Sequence, residues 1–210
     1  MAQRAPSEGQ VLMQGGLFQS AATAHYAPRE KMRIAYADPP YIGCARMHYK
    51  DHPDFAGEVD HLQLIQKLHS EFPDGWALSC SSPTLRELLN ICASVGADDV
   101  RVAAWVKPWA VWKPGMSVAY AWEPVIWRGG RKKNKKEHTS RDWVSANAVM
   151  RRRNDPNQTK GTKPLEFCCW LFDLFNMRPE DELVDLFAGS GAVVEAWEWW
   201  KRQGRLPLGV

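Results

Sequence analysis

Residues 183–197 read LVDLFAGSGAVVEAW: an apolar strand over 183–187, an Ala-Gly-Ser-Gly turn, then a helix. Gly189 and Gly191 allow a tight turn and let a ligand approach the backbone closely. The helix N-terminus adds unpaired N–H groups and the positive end of a dipole. In doubly wound sheets, ligands bind at this place, beyond the carboxyl ends of the strands. Asp185 stands inside the strand near its end, where it is placed to accept from an ammonium group. This is not the dinucleotide fingerprint, because the third glycine is missing. By itself the turn fits a purely structural role equally well.

Upstream, the chain repeats the pattern. MRIAYA (32–37) reads as a buried strand. EVDHLQLIQKLHSEF (58–72) places Val59, Leu62, Ile65 and Leu68 at helical spacing. GWALSCS is a short strand opened by Gly75. SPTLRELLNICASVG is a helix with Ser82 as N-cap, Pro83 at its first position and Gly96 at its end. DVRVAAWVKP and YAWEPVIWR read as two further strands. A polar segment follows over 128–163, and then PLEFCCWLFDLFNM, a helix with Pro164 in its first turn. The closing RLPLGV reads as the beginning of one more strand. Alternation of this kind predicts an α/β domain whose mostly parallel sheet carries helices on both faces. The 210 residues suit one such domain, without internal repeats, behind a Gly-, Ala-, Ser- and Gln-rich arm over 1–30.

The first strand ends on Asp38-Pro39-Pro40-Tyr41. Two prolines cannot continue a helix and remove two backbone donors. As a tetrapeptide alone, it fits a turn with a polyproline kink.

Composition narrows the function classes. The net charge is only +3, yet residues 128–163 hold twelve Lys and Arg against three acids. That segment is +9, so the remainder is −6, and the asymmetry points to a polyanion partner. The five cysteines are odd in number and show neither CxxC nor zinc spacing, so buried thiols in a reducing compartment are expected and no metal. The opening MAQRAPSEGQ has no apolar signal region, and no stretch is long and apolar enough for a membrane span. A cytoplasmic protein without membrane association is the expectation.

Asp38-Pro39-Pro40-Tyr41 together with LFAGSG resembles the signature motifs of the S-adenosylmethionine-dependent amino-methyltransferases. TKPLEF (162–167) looks like a third element of that family, which packs beside the glycine turn. The order here, tetrapeptide, basic region, Lys-Pro, glycine turn, is similar to the permuted (beta) group of DNA amino-methyltransferases, many of them phage-encoded. The resemblance covers residues 32–210. It implies a Rossmann-like methyltransferase fold, circularly permuted and reduced at its C-terminal end. It also implies a short basic target-recognition insertion at about 128–163.

On that resemblance, Asp38, Pro39, Pro40 and Tyr41 form the catalytic loop. Asp185, Phe187, Ala188, Gly189, Ser190 and Gly191 hold S-adenosylmethionine, with Lys163 and Pro164 beside them. The Asp38 carboxylate and the Pro39 carbonyl each take one hydrogen of an exocyclic amine, which frees its lone pair. Tyr41 offers a flat face to a flipped-out base. DNA phosphates meet Arg131, Lys132, Lys133, Lys135, Lys136, Arg151, Arg152 and Arg153, and Trp143 and Asn147 are candidates for base contacts. An Asp at the head of the tetrapeptide, ahead of the glycine turn, favours adenine N6 in DNA. Cytosine N4, RNA and a non-catalytic nucleic-acid-binding protein of the same fold are the alternatives. The ribose-binding acid of the family would come just after Val210. A partner subunit, a second copy of this chain, the N-terminal arm or a reduced site would then have to answer for it.

Overall fold

The computed structural model describes residues 31–43, 58–109, 115, 117–149 and 162–203. The expected alternation is present. Strand β1 (Arg33–Ala37) leads to helix α1 (His61–Glu71) and strand β2 (Gly75–Ser79). A 3-10 turn (Ser82–Thr84) then opens helix α2 (Leu85–Ser94). Strands β3 (Arg101–Val106), β4 (Trp122–Gly129) and β5 (Trp143–Ser145) follow, and the chain closes with α3 (Leu165–Leu174), β6 (Glu182–Asp185) and α4 (Ala192–Gln203).

The six strands form one sheet in the order β5-β3-β4-β2-β1-β6. β4 is antiparallel to both of its neighbours, and the other pairings are parallel. Side chains alternate across this sheet, as the pleat requires. Ile34 and Tyr36 of β1 face α3 and α4, in a core with Trp105, Val125, Phe167, Trp170, Trp197 and Trp200. Ala35 and Ala37 face α1 and α2, in a second core with Leu64, Ile65, Leu68, Trp76, Leu78, Leu88 and Cys92. The helices after β1 and β6 therefore lie on opposite faces of the sheet, which puts a topological switch point between two adjacent parallel strands. Open α/β sheets form their ligand crevices at such points.

Several details differ from the sequence reading. In α1 the buried apolar residues are Leu64, Ile65 and Leu68, while Leu62 faces solvent. The cap lies one residue earlier than Ser82: the Ser81 carbonyl accepts from Thr84 N–H, and the two hydroxyls are 2.8 Å apart. β6 ends at Asp185, so Phe187 belongs to the turn.

The described part of the basic segment has its own contacts with the domain. It contains β5 and is strapped onto α3. Ser140 donates to the Asp173 carbonyl (3.1 Å), and Trp170 Nε1 donates to the Arg141 carbonyl (2.9 Å). Its first turn requires glycine, since a Cβ on Gly130 (φ +85°) would meet Phe175 Cα at 2.9 Å. Arg131 is folded inward rather than presented to a phosphate. Its guanidinium forks onto Asp181 at 2.9 and 3.0 Å and donates to the Asn176 carbonyl at 2.8 Å. Asp181 also accepts from the Met32 and Arg178 amides at 2.8 and 2.7 Å. Burial alone would raise the Asp181 pKa, but Arg131 and the two amides outweigh it and hold the carboxyl below its usual value.

Among the described residues no helix is long and apolar enough to cross a membrane, and no cluster of three potential metal ligands occurs. Cys80, Cys92, Cys168 and Cys169 are free and buried. Burial first of all pushes Cys80 and Cys168 up to about 12 and Cys92 and Cys169 up to about 11, so all four stay thiols at neutral pH.

Candidate active site

β1 and β6 end side by side. Tyr36 pairs with Asp185, and Leu186 N–H donates to the Tyr36 carbonyl at 2.9 Å. β1 therefore delivers Asp38-Pro39-Pro40-Tyr41 to the same edge at which β6 delivers the glycine turn. The prolines remove two backbone donors from the point where the sheet stops.

Asp38 is pinned from the far side of the chain. Lys163 Nζ lies 2.8 Å from Asp38 Oδ2, and its side chain is only 6% exposed. Pro164 is the N-cap residue of α3, so the start of that helix fixes where Lys163 projects. The same ammonium is 3.8 Å from Glu123 Oε2. It also lies over the rings of Trp105 (5.3 Å to the centroid) and Phe167 (5.8 Å). Trp105 is itself held, Nε1 donating to the Ala146 carbonyl at 2.8 Å.

Glu123 is the residue that the sequence reading passed over. It sits on β4 opposite Trp105, accepts from the Tyr41 hydroxyl at 2.8 Å and pairs with the Lys107 ammonium. Lys107 Nζ in turn lies 4.6 Å from the Trp105 centroid. A signal was present: one acid between Trp122 and Pro124 opens a strand that runs on apolar through Trp127, and one lysine follows directly on the strand before it. Because those strands are antiparallel, the two charges meet at one edge of the sheet.

The buried charges shift one another. Burial is the largest influence on Asp38 and raises its pKa above the usual carboxylate value, although Lys163 pulls the other way. Burial would likewise raise Glu123, but Lys163 and Lys107 together hold it below its usual value. Burial would lower Lys163, yet Asp38 and Glu123 outweigh it and raise its pKa, so the ammonium stays charged. Burial, then the neighbouring Asp38, pushes the phenols of Tyr36 and Tyr41 well up, so both remain neutral. Tyr36 is tied to Ser79 Oγ at 2.8 Å.

On the β6 side, Gly189 and Gly191 take the positive φ values (+49° and +76°) that the turn demands. A Cβ at Gly191 would meet nothing within 4 Å, so the turn opens onto free space in front of α4. Asp185 Oδ1 accepts from Phe187 N–H at 3.1 Å and braces the turn. Burial first of all raises its pKa, with a smaller contribution from the charge of Asp38. Ala188, Gly189 and Ser190 are exposed, and Phe187 is half-buried. An open glycine cradle at a helix N-terminus suits an anionic or polar group of a small ligand, and the neighbouring Asp185 carboxylate suits an ammonium group on the same ligand.

The structure thus brings Asp38, Tyr41, Lys163, Asp185 and the glycine turn to one edge of the sheet. Lys132, Lys135 and Lys136 are exposed elsewhere. The segment carrying them starts where Gly130 N–H meets the Asp74 carbonyl (2.7 Å), below the first residue of β2. That is the opposite end of the sheet from Asp38, roughly 15 Å away at ~3.3 Å per strand residue. Lys133 is turned onto the His138 carbonyl (2.9 Å) and the Ser140 hydroxyl. Arg151, Arg152 and Arg153, and the chain after Gln203, lie outside the described residues. Trp143 and Asn147 are exposed on and just after β5.

No protein-family model matches the chain, and none of the curated proteins matches it. Solved structures do. The M1.HpyAVI–SAM complex aligns with a TM-score of 0.53 at 16% sequence identity, over 81% of this chain and 79% of that one. M1.HpyAVI alone gives 0.51 at 15% identity, over 81% and 77%. At such identities the likeness is one of fold, and the α/β, Rossmann-like architecture expected from the sequence is the architecture found.

Proposed function

We propose that this protein transfers a methyl group from S-adenosylmethionine to an exocyclic amine of a nucleic-acid base, with adenine N6 in DNA as the preferred acceptor. The observation that carries this reading is the meeting of Asp38-Pro39-Pro40-Tyr41 and the Phe187–Gly191 turn at the ends of adjacent parallel strands. Support comes from the fold, which in M1.HpyAVI is seen in complex with SAM.

Gly189, Ser190, Gly191 and Asp185 would hold S-adenosylmethionine, the glycines by giving room and Asp185 by its negative charge. When bound, that molecule supplies an electrophilic methyl group whose carbon–sulfur electron pair leaves with the sulfur. The chain's part is to prepare the amine. The Asp38 carboxylate and the Pro39 carbonyl accept one N–H hydrogen each, and the lone pair is released from conjugation with the ring. The carboxylate offers about four lone-pair sites, so it serves the amine while still bound to Lys163. As nitrogen becomes positive, the bond to Asp38 strengthens, which favours the transition state over the bound base. The surplus proton leaves along that bond, and the raised pKa of Asp38 suits it to receive the proton. Tyr41, neutral and held by Glu123, supplies a stacking face for an extruded base.

DNA would approach the edge that carries Asp38. Trp109 and Tyr120 are exposed there, at 81% and 59%, and offer stacking surface. In the chain, Arg151, Arg152 and Arg153 stand between Ala146, whose N–H donates to the Val106 carbonyl at that edge, and Lys163 beside Asp38. Incubation with S-adenosylmethionine and unmethylated DNA, followed by digestion and mass spectrometry of the nucleosides, tests the proposal. N6-methyldeoxyadenosine is the expected product. Methylcytosine, or methylation of RNA alone, would reassign the acceptor. A protein that binds DNA equally with and without the cofactor and methylates nothing would be a binding protein of this fold.

A further inference from the structure

Two carboxylates and two ammonium groups are packed together at the catalytic edge from four separate stretches of chain. Asp38 follows β1, Glu123 lies on β4, Lys107 follows β3 and Lys163 precedes α3. Asp38 has an assigned task in the reading above, and Glu123 has none. Yet Glu123 touches three members of the site: the Tyr41 hydroxyl at 2.8 Å, the Lys107 ammonium, and the Lys163 ammonium at 3.8 Å.

We propose that Glu123 is a positioning residue for the Asp38 reaction: it fixes the Tyr41 ring and shares the Lys163 ammonium, so that Lys163 steadies the Asp38 carboxylate without capturing it. This rests on the reading of Asp38 as the acceptor of the amine hydrogens.

The distances set out the balance. Lys163 leans toward Asp38, at 2.8 Å, and Lys107 supplies the remaining positive charge beside Glu123. Once the Glu123 charge is removed, two ammonium groups face one carboxylate. Lys163 then belongs to Asp38 alone, and a carboxylate tied more tightly to a cation is a weaker acceptor for the amine. The groups facing Asp38 are Lys163 from the α3 side, Glu123 from β4, Lys107 from β3, Tyr36 from β1, Asp185 from β6, and Tyr41 on its own loop. The two phenols stay neutral. Glu123 raises the Asp38 pKa and Lys107 lowers it, so removing each moves Asp38 in an opposite direction.

The test reads Asp38 directly and by turnover, in the full-length protein. NMR titration of the Asp38 carboxyl carbon is expected to shift to lower pH in Glu123→Gln and to higher pH in Lys107→Met. In methyl transfer to DNA, Glu123→Gln is expected to lose about tenfold or more in kcat, the scale of a misplaced reacting group, with little change in KM. An Asp38 titration that moves in neither variant would overturn the proposal, and so would a shift in Glu123→Gln without loss of kcat. If Glu123→Gln does not fold, Lys107→Met decides, since an unmoved Asp38 there is equally fatal. Turnover retained by Asp38→Asn would instead sink the underlying reading of Asp38, whatever the titrations show.

Discussion

Lys163 Nζ stands 2.8 Å from Asp38 Oδ2, although 125 positions separate the two residues in the chain. They meet because α3 begins at the sheet edge where β1 ends. A permanent cation thus sits beside a buried acid, which is the arrangement that keeps a carboxylate ionised where water cannot.

Asp38→Asn keeps the shape and removes the charge. Binding of S-adenosylmethionine, measured by calorimetry, should persist, while kcat falls by about two to three orders of magnitude. The pH profile of the wild type supplies an independent check. Burial raises the Asp38 pKa, and only the ionised form accepts both hydrogen and proton. kcat should therefore fall as pH is lowered through a value above the ordinary carboxylate range. A profile flat down to the usual carboxylate pKa would contradict this.

Gly191→Ala separates fold from ligand. The residue has φ +76°, so an L-side chain costs about 1–2 kcal/mol. The added methyl would meet no protein atom within 4 Å. The variant should fold with a slightly lower melting temperature. Its affinity for S-adenosylmethionine should nevertheless drop by about tenfold or more, because the methyl occupies ligand space. Wild-type affinity in a folded Gly191→Ala would move the cofactor away from this turn.

Most of the fold was legible because its signals are local. Apolar runs, a Pro-opened helix and glycine turns give element types, and their alternation gives a mostly parallel sheet. The reversed direction of β4 was not legible, since nothing in YAWEPVIWR states which neighbour it will pair with. β5 is three residues long and too short to show a period. The site was legible where it consists of contiguous motifs, Asp38 to Tyr41 and the turn ending at Gly191. Glu123 and Lys107 were not legible because their meaning arises only when antiparallel strands bring them together. Arg131 looks like its basic neighbours, and only the position of Asp181 distinguishes it.

The Arg131–Asp181 pair ties the basic segment to the starts of β1 and β6, with both side chains nearly inaccessible. Asp181→Asn leaves a buried guanidinium without its anion, at a cost of about 3 kcal/mol or more. The sign with pH follows from the direction of the shift. Asp181 is held below its usual pKa by folding, so its contribution is complete above the unfolded value and is lost as pH falls through the folded one. Denaturant midpoints should therefore fall on acidification more steeply in the wild type than in Asp181→Asn. Parallel curves would place the acid sensitivity elsewhere.

The basic residues can be tested against their position. A Lys or Arg that neutralises a phosphate releases a counterion, so removing one such residue reduces the salt slope of DNA affinity by about one. Lys132, Lys135 and Lys136 follow Gly130 at the end of the sheet opposite Asp38, whereas Arg151, Arg152 and Arg153 stand in the sequence between β5, whose Ser145 pairs with Val106, and Lys163 beside Asp38. On the proposed reading, a duplex that presents one base to Asp38 lies across that edge. The triple variant Arg151→Ala, Arg152→Ala, Arg153→Ala should flatten the salt slope by about two to three and raise KM for DNA. The triple variant Lys132→Ala, Lys135→Ala, Lys136→Ala should leave both nearly unchanged. The reverse result would mean that DNA wraps around the sheet to its far end. The lysine cluster, rather than the arginines, would then set affinity.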